Sequence, residues 1–483
     1  MRRAAGALRP PASRTLIRLT DFGPARRLTP KEFGLESADR SWNTWADSFL
    51  QVNRPAFEAL DLVFGQEASR DGLAPTIRAA GTVGAVPIRH PQSGKAIGGV
   101  VVAPRFGWHG IGPVLSQTGW SAAPAILDQL PTVPGSSREV PPWVLGGPVV
   151  QRLGAMLHHL RRGYALRTEV RQQPRGTILW NRYAVDQVAR GRPYELVCRF
   201  PDLGVDQTLR RHLRWGLERT RASLFAAGGN DWLARALILI IEHLLVSLQD
   251  VPAVRPTHSS LARLERANAV QIDTLVAGVQ ALGWVLDERG LAGTAVLDGL
   301  AWRMTMAELF ERWCEALARH WAATVGGQVS VGMASQFPVR WQSRDPAGLT
   351  ALRPDIIVQR SDAVYVLDAK YKNHLQDIDE ERWFELAEDA RAEHRADVHQ
   401  VLAYTGLFDS PRVVSSLLYP LRYQTWERLR YRGRVVRRAA ITTGSRTIEL
   451  AIIGVPIDIS RGTTLDEITA DWGLLLQEFD DWL

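Results

Sequence analysis

The stretch Arg353 to Lys372, RPDIIVQRSDAVYVLDAKYK, constrains this chain more than any other. Two apolar runs, Ile356–Val358 and Val364–Leu367, flank a polar Ser361–Asp362 pair. Runs of that kind around a tight polar turn predict two paired antiparallel strands. A two-residue turn at Ser361–Asp362 sets Asp355 directly opposite Asp368, and directly opposed residues hold their Cβ atoms roughly 4.5–5.5 Å apart. Two carboxylates at that spacing on one face can share a divalent cation. Lys370 comes two residues after Asp368 and projects from the same face of the strand. Such a lysine can orient an attacking water and offset the charge that builds on a pentavalent phosphate. Oxygen-only ligation favours Mg²⁺, with Mn²⁺ as a substitute, over zinc. Each residue thus has a task in phosphodiester hydrolysis, although a surface hairpin with incidental charges would give the same short pattern.

The surrounding sequence supplies further candidates. Thr305 to His320 (TMAELFERWCEALARH) has the periodicity of an amphipathic helix, with Thr305 and Glu308 in capping-box spacing. A second helix is expected from about Glu380 to Phe408, and strands at Val413–Tyr419 and Ile448–Ile453; the chain should close on a helix ending at Leu483. A helix, a mixed sheet and a return helix make an α/β core. On the second helix, Gln400 and Tyr404 stand four residues apart and share a face.

Taken in order, Leu309-Phe310-Glu311, Arg353-Pro354-Asp355, Val366-Leu367-Asp368-Ala369-Lys370-Tyr371-Lys372, Gln400-Val401-Leu402-Ala403-Tyr404 and Leu417-Leu418-Tyr419-Pro420 resemble the signature of the PD-(D/E)xK nuclease superfamily. The likeness is greatest to the McrC family, the nuclease subunits of McrBC-type, modification-dependent restriction systems. It covers residues 305–420; upstream, Thr15 to Gly23 (TLIRLTDFG) and Arg175-Gly176 through Asp206 match more loosely. The resemblance implies a restriction-endonuclease-like domain in which Asp355, Asp368, Glu311 and the carbonyl of Ala369 bind Mg²⁺. Lys370 would position the nucleophile, and Gln400 and Tyr404 would steady the site or the DNA backbone. Glu308, one turn before Glu311, is a rival that only the family pattern disfavours. The resemblance also implies a McrB-like AAA+ GTPase or ATPase as partner and double-stranded, possibly modified, DNA as substrate.

Length and composition set the frame around this site. A chain of 483 residues accommodates several domains, each with its own core. Three segments are expected. Residues 1–139 read as β-rich, with strands at Thr15–Leu19 and Gly98–Ala103 and with Trp42, Trp45, Trp108 and Trp120 as core or interface material; their role would be recruitment of a partner or of DNA. Residues 140–290 read as a basic, mainly helical middle that includes Val149–Arg162, Asp206–Phe225 and a buried Asp231–Asp250. Residues 291–483 hold the nuclease-like α/β domain. Pro131–Pro142 (PTVPGSSREVPP) is the clearest linker.

The net charge of +7 is uneven: residues 1–250 hold 32 Lys and Arg against 20 Asp and Glu, and residues 151–225 alone hold 15 against 6. Arg161, Arg162, Arg167, Arg171 and Arg175 are therefore candidate phosphate contacts, joined by Lys372 beyond the core strand. An ordinary solvated arginine-rich face would look the same.

Other classes are disfavoured. Cys198 and Cys314 form no CxxC pair, which argues against a disulfide framework or zinc site and for a reducing cytoplasm. The most apolar run, Ala236–Leu248, is too short to span a bilayer and carries Glu242 and His243. The opening MRRAAGALRPPASR has no sustained apolar stretch and reads as a basic leader. No GxxxxGK[ST] is present, so NTP hydrolysis would fall to a partner. The expected protein is a metal-dependent DNA endonuclease subunit; the rivals are a non-catalytic adaptor between an NTPase and DNA, and a stand-alone repair nuclease.

Overall fold

A computed structural model describes residues 15–33, 40–69, 72–120, 124–127, 129–131, 133–134, 140–160, 162–228, 231–268, 273–287, 298–299, 301–340, 350–375, 388–443, 446–460 and 462–477. The chain is a mixed α/β protein with two compact units, Met1–Val140 with Leu297–Leu483, and Pro141–Val296. The breaks lie beside the expected 139/140 and 290/291, but the first and last segments form one unit, not two.

The N-terminal segment runs β1 (Thr15–Thr20), α1 (Arg40–Ala59), β2 (Leu62–Ser69), β3 (Gly72–Ala79), β4 (Thr82–Arg89), β5 (Ala96–Ala103), α2 (Trp108–Gln117) and β6 (Ala125–Ile126). The twenty-residue α1 was not anticipated. Its Trp42, Trp45, Phe49, Asn53 and Phe57 recur at three- and four-residue steps and are buried, the stripe expected of a helix that packs on a core. Trp42 stacks on Trp45 at 5.1 Å between centroids, and Trp45 on Phe49 at 5.0 Å. These tryptophans, with Trp120, are core residues. β1 pairs parallel to β5, and β5 antiparallel to β4.

The middle unit comprises α3 (Pro142–His158), β7 (Arg162–Arg171), β8 (Thr177–Ile178), α4 (Trp180–Asp186), β9 (Leu196–Val205), α5 (Gln207–Gly228), α6 (Trp232–Val246), α7 (His258–Asn268) and α8 (Asp273–Leu286). It is not helical throughout, because β8, β9 and β7 form a sheet in that order. The helix expected to reach Arg162 stops at His158, and the alternation Tyr164, Leu166, Thr168, Val170 suits a strand. α6 is capped by Asp231, which accepts from the Leu233 N–H at 2.8 Å and from the Trp143 indole N–H at 2.7 Å. The expected buried helix is half-buried: Leu237 and Ile241 face the core, whereas Leu239, Ile240 and Val246 are exposed.

The last segment contains β10 (Trp302–Thr305), α9 (Met306–Val325), β11 (Gln328–Val331), β12 (Ile356–Gln359), β13 (Val364–Ala369), α10 (Glu388–Tyr404), β14 (Val413–Leu421), α11 (Tyr423–Tyr431), β15 (Val436–Thr443), β16 (Arg446–Pro456) and α12 (Leu465–Thr469). β10 lies between β4 and β6, which completes a sheet of order β1-β5-β4-β10-β6 and joins the first and last segments. Gly84 permits that pairing: its φ is +152°, and a Cβ there would stand 2.2 Å from the Trp302 carbonyl oxygen. The second sheet has the order β11-β12-β13-β14-β16-β15 among the described residues. β14 is buried along its whole length and pairs parallel to both β13 and β16. Such strands read as continuous apolar runs, as VVSSLLYPL nearly does. α9 packs on β11, β12 and β13, and α10 on β13 and β14.

Three local expectations change. Thr305 caps α9 by position but makes no side-chain cap bond. The Met306 N–H, the first of the helix, donates to the Gly81 carbonyl at 2.9 Å. The helix expected from Glu380 begins, among the described residues, at Glu388. The closing residues 478–483, and the basic leader, lie outside the described residues.

Candidate active site

The hairpin forms in the expected register. β12 and β13 pair antiparallel from Ile356 opposite Leu367 to Gln359 opposite Val364, with Ser361–Asp362 in the turn. One step further, Asp355 faces Asp368. Asp355 accepts a hydrogen bond from the Ala369 N–H at 2.8 Å. That bond clamps one acidic strand end to the other.

Asp368 is fully buried, and among the described residues neither of its carboxylate oxygens has a hydrogen-bond donor in acceptable geometry. Its close cation is Lys370, whose Nζ stands 2.6 Å from Oδ2. The distance marks an ion pair, although its angles fall short of a hydrogen bond. Burial pushes the Asp368 carboxyl above the usual range, against the pull of Lys370. Burial and the Asp368 charge push Asp355 up to about 7. The Lys370 ammonium is also raised: burial lowers its pKa, but Asp368 and the neighbouring carboxylates outweigh that. With both carboxyls ionised, the pair would carry more negative charge than one lysine balances.

Glu311 stands on α9 beside this pair. It is half-buried, its carboxyl is raised by burial, and its charge is felt by Asp355. Glu308 is exposed. Of the two, only Glu311 is among the charges that act on Asp355. Among the described residues no group of three or more His, Cys, Asp or Glu side chains is tight enough to hold a metal unaided. The two aspartates face one another, and Glu311 acts on Asp355 from the neighbouring helix.

A chain of contacts leads from Lys370 back to the start of β12. Lys370 Nζ donates to Gln400 Oε1 at 3.1 Å, Gln400 Nε2 donates to the Tyr404 hydroxyl at 2.9 Å, and that hydroxyl donates to the Arg353 carbonyl at 3.3 Å. The four-residue spacing on α10 thus brings both side chains to the site.

Lys372 faces a second cluster that the sequence did not announce. Its Nζ donates to both oxygens of buried Asp397, at 2.9 and 3.1 Å, and lies 3.7 Å from Glu393. The Tyr419 hydroxyl also donates to Asp397, at 3.1 Å, and contacts His394 Nδ1 at 3.0 Å. Burial and the neighbouring His374 drop the His394 imidazole to about 4. Asp397 was legible in principle: it precedes Gln400 by three residues and Tyr404 by seven, the spacing of one helix face.

The candidate phosphate-binding arginines belong to the middle unit. Arg162, Arg167 and Arg171 are on β7 and Arg175 on the turn after it; Arg161 lies outside the described residues. Arg167 pairs with Glu169 at 2.7 Å, and Arg171 and Arg175 lie over the Phe200 ring at 5.4 and 4.1 Å. They occupy a strand and a turn, not the polar positions of a helix.

A family model described as "McrBC 5-methylcytosine restriction system component" matches residues 150–420, more than half of the chain. This chain belongs to that McrBC family. Among solved structures, a half-complex from a tetradecameric assembly of Thermococcus gammatolerans McrB AAA+ hexamers with bound McrC is 13% identical, covering 95% of this chain and 100% of that one, at a TM-score of 0.42. The cryo-EM structure of the Thermococcus gammatolerans McrBC complex is 15% identical, covering 64% of this chain and 88% of that one, at a TM-score of 0.26. No curated protein matches significantly. Among the described residues no helix is long and apolar enough to cross a membrane.

Proposed function

We propose that this chain is the DNA-cutting subunit of an McrBC-type restriction system, with a PD-(D/E)xK active centre at the acidic ends of β12 and β13. The observation that carries the reading is the buried Asp368 carboxylate, facing Asp355, with Lys370 as its close cation and no hydrogen bond of acceptable geometry among the described residues. A buried carboxylate pair with one lysine is costly unless a further cation completes it. Oxygen donors fit Mg²⁺ or Mn²⁺. Asp355 and Asp368 would hold the ion with the Ala369 carbonyl, and Glu311 would add charge or an outer contact. When bound, the ion supplies positive charge at the scissile phosphate and acidifies water.

The protein's own groups do the rest. Lys370, anchored between Asp368 and Gln400, offers its remaining donors to the attacking water or a phosphate oxygen. Gln400 and Tyr404 fix the lysine's direction and tie it to the backbone that leads into Asp355. Lys372, held by Asp397, and the arginines of β7 would meet the DNA backbone.

The chain carries no P-loop, and McrBC family membership points to a McrB-like AAA+ GTPase or ATPase as the motor. The test is DNA cleavage by the purified chain with and without that partner, its nucleotide and Mg²⁺. Cutting that appears only with all three supports the reading. Robust cutting by the chain alone favours a stand-alone nuclease, and assembly without cutting favours an adaptor.

A further inference from the structure

The residue after Lys370 is clamped by the N-terminal segment. Tyr371 is buried, and its hydroxyl donates to Asp21 at 2.7 Å. Asp21 follows β1, is 1% exposed, and also accepts the backbone N–H of Arg105. Its own N–H donates to the Ala103 carbonyl at 3.1 Å. The next residue, Phe22, holds a left-handed φ of 52° that a non-glycine residue adopts only when its surroundings impose it. The Arg105 guanidinium lies over the rings of Phe22, Phe106 and Tyr371 at 5.0, 4.9 and 4.5 Å. From the other side, Phe310 meets the Tyr371 ring at 6.1 Å, and Phe310 precedes Glu311.

A carboxylate, a phenol and a guanidinium are an expensive way to fill a core, since apolar side chains of similar volume would stabilise it at least as well. What the polar set adds is direction: one hydrogen bond and one stacked cation define where the Tyr371 side chain points. Tyr371 is covalently next to Lys370 and is packed against the neighbour of Glu311. Two of the candidate catalytic groups therefore depend on where it sits. We propose that Asp21 is a positioning residue for the candidate active centre, acting through Tyr371 to fix the strand end that carries Ala369 and Lys370. Its effect on cleavage rests on the function proposed above; its effect on the strand end does not.

The test uses the full chain with Asp21→Asn, Tyr371→Phe and the double variant. The comparison is Asn53→Ala, which disturbs the same N-terminal core by removing the side-chain bonds of Asn53 to Phe49 and Arg89. Hydrogen exchange across residues 366–375, read by mass spectrometry without partner or metal, should speed up several-fold in Asp21→Asn and Tyr371→Phe. The double variant should go no further than either single one. Asn53→Ala, compared at matched loss of thermal stability, should leave this segment protected. In the reconstituted cleavage system the two single variants should lose about tenfold or more in kcat with KM for DNA unchanged, as expected when a catalytic group is misplaced rather than removed. Unchanged exchange in both single variants overturns the proposal, as does an equal increase in Asn53→Ala. A wild-type chain that never cuts overturns the function proposed above, while the exchange measurement still decides whether Asp21 holds the strand end.

Discussion

The Ala369 backbone N–H donates to the Asp355 carboxylate at 2.8 Å, so the acidic residue that precedes one strand is held by the residue that ends the other. Asp368 faces Asp355, with Lys370 Nζ 2.6 Å away as an ion pair and no hydrogen bond of acceptable geometry among the described residues. The Ala369–Asp355 bond keeps Lys370, one residue on, beside both carboxylates. The candidate centre is thus a property of strand register, and the register follows from the turn at Ser361–Asp362.

The raised carboxyls predict a metal- and pH-linked stability. Asp355 rises from 3.8 to about 7, so the folded chain binds this proton more tightly than the unfolded one. Stability from this group is then present at low pH and is lost as pH climbs through about 4 to 7. Mg²⁺ or Mn²⁺, which needs the ionised carboxylates, should raise the Tm at pH 8 and have little effect at pH 5. Asp355→Asn should raise the metal-free Tm at pH 8 and abolish the metal response. Thermal shift across that pH range checks both, and a metal response that survives in Asp355→Asn counts against the site.

Gln400→Ala should lower the cleavage rate by about 10–100-fold while leaving assembly and Tm nearly unchanged. Gln400 is exposed and supports little packing, yet it is the acceptor that aims Lys370. Losing a supporting hydrogen bond around a metal-dependent centre typically has that cost. Single-turnover kinetics decide it, and a rate within twofold of wild type would remove Gln400 from the lysine's positioning.

The arginines of the middle unit predict a salt signature. Arg171→Glu combined with Arg175→Glu should weaken duplex DNA binding. It should also flatten the log–log salt dependence by about 0.9 for each phosphate charge no longer neutralised. An unchanged slope means that their stacking on Phe200 serves only the fold.

What the sequence made legible was mostly local. Alternating and apolar runs fixed β12, β13 and β14, and the turn chemistry fixed Asp355 opposite Asp368. Gln400 and Tyr404 could be placed on one helix face by spacing alone. Long-range pairing could not. Nothing in TLIRLTDFG announces that Asp21 meets Tyr371, 350 residues away, or that Trp302–Thr305 completes an N-terminal sheet. The helix expected to run through Arg162 failed for a related reason. Its Arg-rich end reads as an amphipathic helix until the alternation from Tyr164 onward is weighed against it, and cross-strand partners in β9 settle the matter. Asp397 shares the helix face of Gln400 and Tyr404 by spacing, but its role at Lys372 shows only once the two are seen to meet.

The most direct measurement is single-turnover cleavage of modified duplex DNA by the full chain assembled with its AAA+ partner, nucleotide and Mg²⁺, wild type against Asp368→Asn. Removing a ligand charge from a metal-assisted phosphoryl centre costs several kcal/mol of transition-state stabilisation, so Asp368→Asn should cut at least about 1,000-fold more slowly. DNA binding and assembly with the partner should stay intact. Undiminished cutting by an assembled Asp368→Asn complex would contradict the account.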